Sequence, residues 1–274
     1  MNPKIDIVTL GVTDLDRARR FYEHGLGAVV GTEHEALAVR LGPNSSRLHL
    51  RPWDEVAADA GVHTASSGFR AFTLSYILGS ADEVDEVLAR AERHGGRISK
   101  PPKTAFWGYS AYVSDPSGYL WKIASQKRRP LLGRSGSPAP NGHPIEPQEV
   151  PLTIGVADMK RSKEFYERAI GLPVKKAFGS KFVMFEGRDG TSDLGMYKRE
   201  ALAHDAAVPP EGDGFHGFSV THLVDSPERA DALLRRAAEA GGRIVVPARD
   251  GGRRGYFGYF ADLDGHLWQV ACRN

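Results

Sequence analysis

The chain has 274 residues, 41% of them hydrophobic, enough for a substantial core in one large domain or two ordinary ones. Its 36 Lys and Arg against 34 Asp and Glu leave a formal charge of +2, too weak a field to favour nucleic acid or a membrane surface. No apolar run reaches the roughly 18 residues of a membrane span, the N-terminus lacks a secretory core, and the single Cys272 excludes an internal disulfide and a cysteine metal cluster. These features predict a cytoplasmic protein.

Residues 5–12 alternate in apolar character and are rich in β-branched side chains, which predicts a strand with Val8, Leu10 and Val12 on one face. Ile7, Thr9 and Gly11 take the other face. Asp14 then opens a helix whose Leu15, Ala18, Phe21, Tyr22 and Leu26 form one apolar stripe, stopped by Gly25 and Gly27. Short strands are predicted at 28–31, 36–41 and 47–51. From Phe69 the order returns: a strand to Leu78, a helix over 80–94, and strands near Arg97, at 107–114 and at 119–125. The stretch Asp115-Pro116-Ser117-Gly118 is a hairpin turn.

The second half repeats the first. TLGVTDLDRARRFYEHGLG from Thr9 returns as TIGVADMKRSKEFYERAIG from Thr153, and GYSAYVSDPSGYLWKIA from Gly108 returns as GYFGYFADLDGHLWQVA from Gly255. The fold class is therefore α+β, with four βαβββ units at about 4–53, 68–126, 148–200 and 214–273. They group into domains at 1–126 and 148–274, joined by a Pro-, Gly- and Arg-rich linker at 127–147. One helix covers only one face of each unit's sheet, so the other face must find a partner or line a cleft. Two units curling together enclose such a cleft.

The strand and Thr-Asp-Leu-Asp helix start, the Phe-Tyr pair, and the closing Tyr-x-x-Asp-Pro-x-Gly-x-x-Trp resemble the vicinal oxygen chelate superfamily. That superfamily includes glyoxalase I, bleomycin-resistance proteins and extradiol dioxygenases. The resemblance implies two tandem domains with mixed, curled sheets. It also implies a divalent metal held by His and Glu from the first and a later strand of each unit. Those positions read here as Ile7, His49, Phe69 and Lys122 in the first half, and as Pro151, Gly195, Phe215 and Gln269 in the second. Only His49 offers a ready donor, whereas a catalytic site needs about three or four. No metal and no cofactor are expected.

Lys122 reads as a catalytic base or anion clamp, or else as a salt-bridged lysine; His49 reads as a general base or a hydrogen-bonded rim residue. Ile7, Thr9 and Gln269 line the clefts. Phe69, Trp107, Tyr109 and Tyr112 supply an aromatic wall in the first half, and Phe215, Tyr256, Phe257 and Tyr259 in the second. Trp121 and Trp268 fall on the opposite face and are core. The run Lys127-Arg128-Arg129 is a solvated linker, with no nucleic-acid or membrane partner implied. The leading expectation is a metal-independent protein, monomer or homodimer, that sequesters a hydrophobic or aromatic small molecule, as the resemblance to bleomycin-resistance proteins implies. The alternatives are a cofactor-free enzyme of isomerisation, cyclisation or hydrolysis, and a glyoxalase- or dioxygenase-like metalloenzyme whose ligands lie elsewhere.

Overall fold

The computed structural model describes residues 4–33, 35–106, 108–128, 145–188 and 190–272. Trp107 and most of the expected linker lie outside the described residues. The first unit comprises β1 (Ile7–Val12), α1 (Leu15–Arg20), β2 (Val29–Glu33), β3 (Ala36–Arg40) and β4 (Arg47–Pro52), followed by α2 (Trp53–Asp59) and the short β5 (Ser66–Gly68). The second comprises β6 (Phe72–Leu78), α3 (Ala81–Arg93), β7 (Arg97–Ala105), β8 (Gly108–Ser114) and β9 (Leu120–Ser125). The third comprises β10 (Leu152–Val156), α4 (Met159–Phe165), β11 (Val174–Phe178), β12 (Phe182–Phe185) and β13 (Leu194–Lys198), then α5 (Arg199–Ala206) and β14 (Gly212–Gly214). The fourth comprises β15 (Phe218–Val224), α6 (Pro227–Glu239), β16 (Arg243–Asp250), β17 (Tyr256–Ala261) and β18 (Leu267–Cys272).

The starts of α1, α3, α4 and α6 are set by side chains that cap otherwise orphaned N–H groups. Asp14 accepts from the Arg17 amide at 2.9 Å, and Ser80 and Glu83 form a reciprocal capping box at the start of α3. After α1 and α4 the chain widens into a π turn, at Phe21–Gly25 and at Tyr166–Ile170. The wider turn lets two consecutive aromatics of each half, Phe21 with Tyr22 and Phe165 with Tyr166, point into the core. Tyr22 donates to the buried Asp115 at 2.7 Å and meets the Trp121 indole edge-on; Tyr166 donates to Asp262 and lies tilted against Trp268. The Asp115 turn and the two buried indoles are thus the internal anchor of each half. Burial raises the Asp115 carboxyl to about 6, against the hydrogen bonds from Tyr22, Tyr119 and Ser117.

The sheets cut across this arrangement. One eight-stranded sheet has the order β16-β17-β18-β15-β1-β4-β3-β2, so it joins the first and fourth units; the other, β11-β12-β13-β10-β6-β9-β8-β7, joins the second and third. The seams are antiparallel, Thr9 opposite Ser219 and Thr153 opposite Thr73. Each sequence half therefore holds one unit of each sheet. Aromatic–carboxylate anchors tie units within a half, while strand pairing ties units across halves. The two connectors pair through β5 and β14. Sheet membership thus differs from the expected grouping of units 1 with 2 and 3 with 4, because long-range strand pairing leaves no trace in the local pattern. Among the described residues, no helix is long and apolar enough to cross a membrane.

Candidate functional site

Each sheet presents one face to the helices and the other to a concavity. In the first sheet, parallel pairing of β1 with β4 sets Ile7 beside Arg47, Thr9 beside His49 and Gly11 beside Arg51. Across the seam Ile7 faces Thr221 and Thr9 faces Ser219, while Thr221 pairs with Gln269 and Gln269 with Tyr259. These side chains share one face by the period of two. In the second sheet the matching floor holds Thr153, Gly195, Thr73, Ser75, Lys122 and Tyr112.

Helices that follow the last strand of the first and third units lie over both floors. On the second sheet α5 delivers Asp205, whose Oδ2 accepts from Lys122 Nζ at 2.6 Å and from the Tyr112 hydroxyl at 2.7 Å. Lys100 Nζ lies 3.3 Å from Oδ1. Burial opposes ionisation of Asp205, but Lys122, Tyr112 and Lys100 outweigh it and hold the carboxyl below its ordinary range. Burial, then the Asp205 charge, push the Tyr112 phenol well up, and the same two causes raise Tyr197. Beside this cluster the Phe182 ring lies tilted against Tyr197 with centroids 4.8 Å apart, and Phe178 stacks on Phe182 at 6.2 Å, all on the concave face. Phe182 and Tyr197 are half-buried and Phe178 is 62% exposed. A cavity of about 260 Å³ opens at the lead-in to β6, lined by Phe69, Arg70, Tyr119, Leu120 and Val208 among others. Leu120 shares strand and face with Lys122.

The first sheet's concavity is closed. Val56, Ala57 and Ala60 of α2 and the residue after it bury against Phe215, Phe257, Tyr259 and Leu267. Asp59, which occupies the place of Asp205, pairs with Arg51 and at 2.6 Å with Arg254, and Arg51 also holds Glu55 at 2.9 Å. Gln269 is taken by the Thr221 hydroxyl, which donates to it at 2.9 Å. His49 Nε2 lies 3.5 Å from Glu33, which also receives Arg47 at 2.8 Å.

The expected site residues therefore divide. Ile7, Thr9, His49, Gln269 and Tyr259 come together on the first floor, Lys122 and Tyr112 on the second. Tyr109 and Tyr256 do not belong to either. They sit on the helix-packed face, where their hydroxyls donate to Asp85 of α3 at 2.7 Å and Asp231 of α6 at 2.9 Å. Alternation along β8 and β17 requires it, because Tyr112 and Tyr259 hold the concave positions. Phe69 and Phe215 precede their strands and pack on α5 and α2, so the floor positions belong instead to Thr73 and Ser219. The serines that cap α3 and α6, Ser80 and Ser226, stand at a constant distance from these positions and carry the signal that finds them. Asp205, Lys100 and the Phe178–Phe182–Tyr197 wall were not anticipated; the parallel placing of Asp59 and Asp205 after their strands is the one hint in the sequence.

The four positions at which the resemblance implies metal ligands are now Ile7, His49, Ser219 and Gln269 on one floor, and Pro151, Gly195, Thr73 and Lys122 on the other. One imidazole, one amide and two hydroxyls do not make a divalent-metal donor set, and an ammonium group among them opposes one. The residues present do not fit the ion. Among the described residues no group of three or more His, Cys, Asp or Glu converges elsewhere.

Comparison with known proteins agrees with this architecture. Lactoylglutathione lyase GLX1 of Arabidopsis thaliana is 26% identical over 176 residues, 60% of this chain and 53% of that protein. The chain spans about half the length of the curated relatives it matches. The crystal structure of glyoxalase I from Zea mays superposes with a TM-score of 0.64 at 18% identity, covering 99% of this chain and 92% of that one. At that identity the likeness concerns the fold. The pattern of the Glyoxalase/Bleomycin resistance protein/Dioxygenase superfamily matches residues 4–123 and 150–270, and the chain belongs to that superfamily.

Proposed function

We propose that the protein binds an apolar or aromatic small molecule on the concave face of the second sheet, without a metal and without making or breaking a bond. The observation that carries the reading is the donor chemistry of the two floors, where His49 alone among eight positions is a strong metal ligand. The names of the relatives point to a lyase, but the side chains at the implied ligand positions do not supply the Lewis acid such chemistry would borrow. Support for binding comes from the half-exposed Phe182 and Tyr197, whose rings, inclined at 42°, offer an apolar aromatic corner on the same concave face as polar Lys122 and Tyr112. His49 lies against Glu33 on the other floor, apart from the Lys122 cluster.

Two measurements on the purified protein test the reading. Elemental analysis is expected to find no stoichiometric Zn, Ni, Fe or Mn; one metal per chain would overturn it. A panel of aromatic metabolites and antibiotics is expected to contain a compound that raises the melting temperature by mass action and is recovered unchanged after prolonged incubation. Conversion of that compound would favour the cofactor-free enzyme.

A further inference from the structure

We infer that the ligand of this cleft is an aromatic carboxylic acid, and that Asp205 is an internal stand-in for its carboxylate. The inference rests on the binding reading above and adds the chemistry of the ligand. The Lys122 ammonium and the Tyr112 hydroxyl converge on one oxygen of the carboxylate, and the Lys100 ammonium, which also donates to the Asp205 backbone carbonyl, lies 3.3 Å from the other, a donor set that suits an anion with two oxygens. Here that carboxylate belongs to the chain itself.

Three features separate this latch from an ordinary structural ion pair. The Asp205 side chain is 42% exposed, so water can take up its carboxylate on release; its counterpart Asp59 is 18% exposed and is shared by two arginines. The cradle lies at the C-terminal end of α5, whose apolar contact rests on Leu202 and Ala203 against Phe69 and Ala71, away from the cradle itself. The third is the wall. Tyr197 stands on the same concave face as the floor residue Gly195, and Phe182 and Phe178 extend that surface outward. A flat ring lying on Phe182 and Tyr197 would carry its carboxylate to the place of Asp205. On the first floor the corresponding wall residues are Glu33, Ala36 and Arg51, and the positions of Lys122 and Lys100 are Gln269 and Val246, so neither half of the site exists there.

An internal competitor lowers the apparent affinity by the fraction of time that it occupies the cradle. Titration calorimetry with benzoate, phenylacetate and 4-hydroxyphenylacetate, each beside its amide, reads this directly in the full chain. The acids are expected to bind more tightly than the amides, with a gain of about tenfold in Asp205→Ala and a smaller gain in the near-isosteric Asp205→Asn. In Lys122→Met the acid should lose its advantage over the amide. Circular dichroism checks folding, and should Asp205→Ala fail to fold, Asp205→Asn and the acid-to-amide ratio of Lys122→Met decide. Amides binding as well as acids in every variant would overturn the carboxylate assignment while leaving the cleft reading in place. Inorganic phosphate competing as strongly as benzoate would reduce the cradle to a general anion site and also overturn it. No binding of acid or amide by any folded variant would overturn both readings.

Discussion

The two eight-stranded sheets share a ladder and differ in what fills their concave faces. In the first, the ring of Phe257 and the apolar side of α2 meet, and Val56, Ala57 and Ala60 leave no room above the floor. In the second, the position of Phe257 is Ser110, and the end of α5 meets lysines and a tyrosine through one carboxylate. The wall opposite also changes, from Glu33 and Arg51 to Phe178 and Tyr197. A duplicated scaffold thus keeps its core anchors, Tyr22–Asp115–Trp121 and Tyr166–Asp262–Trp268, in both copies. Its freedom to diverge lies on the concave faces. One concavity has become a second hydrophobic core and the other has kept a polar floor with an accessible aromatic edge.

Exchanging the residue that separates them should break the comparison. Phe257 is 5% exposed and packs within the α2 cluster, so Phe257→Ser removes a ring and puts a hydroxyl into apolar surroundings. Urea denaturation is expected to report a loss of about 3–5 kcal/mol, with ligand binding on the second sheet unchanged once the protein is folded. The reverse change, Ser110→Phe, places a ring at a half-buried position beside the Lys122 floor. Stability should move by about 1 kcal/mol or less, whereas binding of any cleft ligand should fall at least tenfold by calorimetry. Loss of binding in Phe257→Ser, or its survival in Ser110→Phe, would place the ligand on the wrong sheet.

Much of this was legible in the sequence because it is local. Repeated strings marked four units, and the period of two put Ile7 and Thr9 on the concave face, whereas Lys122 and Gln269 were reached through the family resemblance and Tyr112 through its aromatic ring; the registers set all five on concave faces. The same rule, applied to Tyr109 and Tyr256, would have turned them toward the helices; aromatic character alone chose them. Phe69 and Phe215 were placed on the floor because the strand was started early: the backbone reaches β6 and β15 only after Ala71, at φ 54°, and Gly217. The short helices α2 and α5 have no long periodic stripe to announce them. Least legible was Asp205, whose partner Lys122 lies 83 residues away in sequence, and the joining of first with fourth unit, which no local signal encodes.

The halves differ again at their rims, where the expected effect appears only in acid. At the start of the second unit Arg70 lies over the Trp53 and Tyr119 rings, at 4.8 and 4.5 Å, and Tyr119 donates to the Gly11 and Gly217 carbonyls. Their counterparts in the fourth unit are His216 and His266, with Nδ1 atoms 3.1 Å apart and His266 Nε2 3.1 Å from the Gly155 carbonyl. With both rings neutral, His266 donates to that carbonyl through Nε2 and accepts from His216 at Nδ1. Burial first, then His266 and Arg199, lower His216 to about 3. A base whose folded pKa lies below its unfolded value of 6.5 takes up its proton first in the unfolded chain. Stability is therefore expected to be complete above about pH 6.5 and to decline as the pH falls toward 3, by at most about 1.4 kcal/mol per pH unit from this residue. His216→Asn keeps a donor for His266 and removes the titration, so urea midpoints measured between pH 7 and 4 should fall less steeply than in the parent chain. An equal acid slope in both proteins would mean that the His216 ring is solvated and that its burial sets no acid limit on stability.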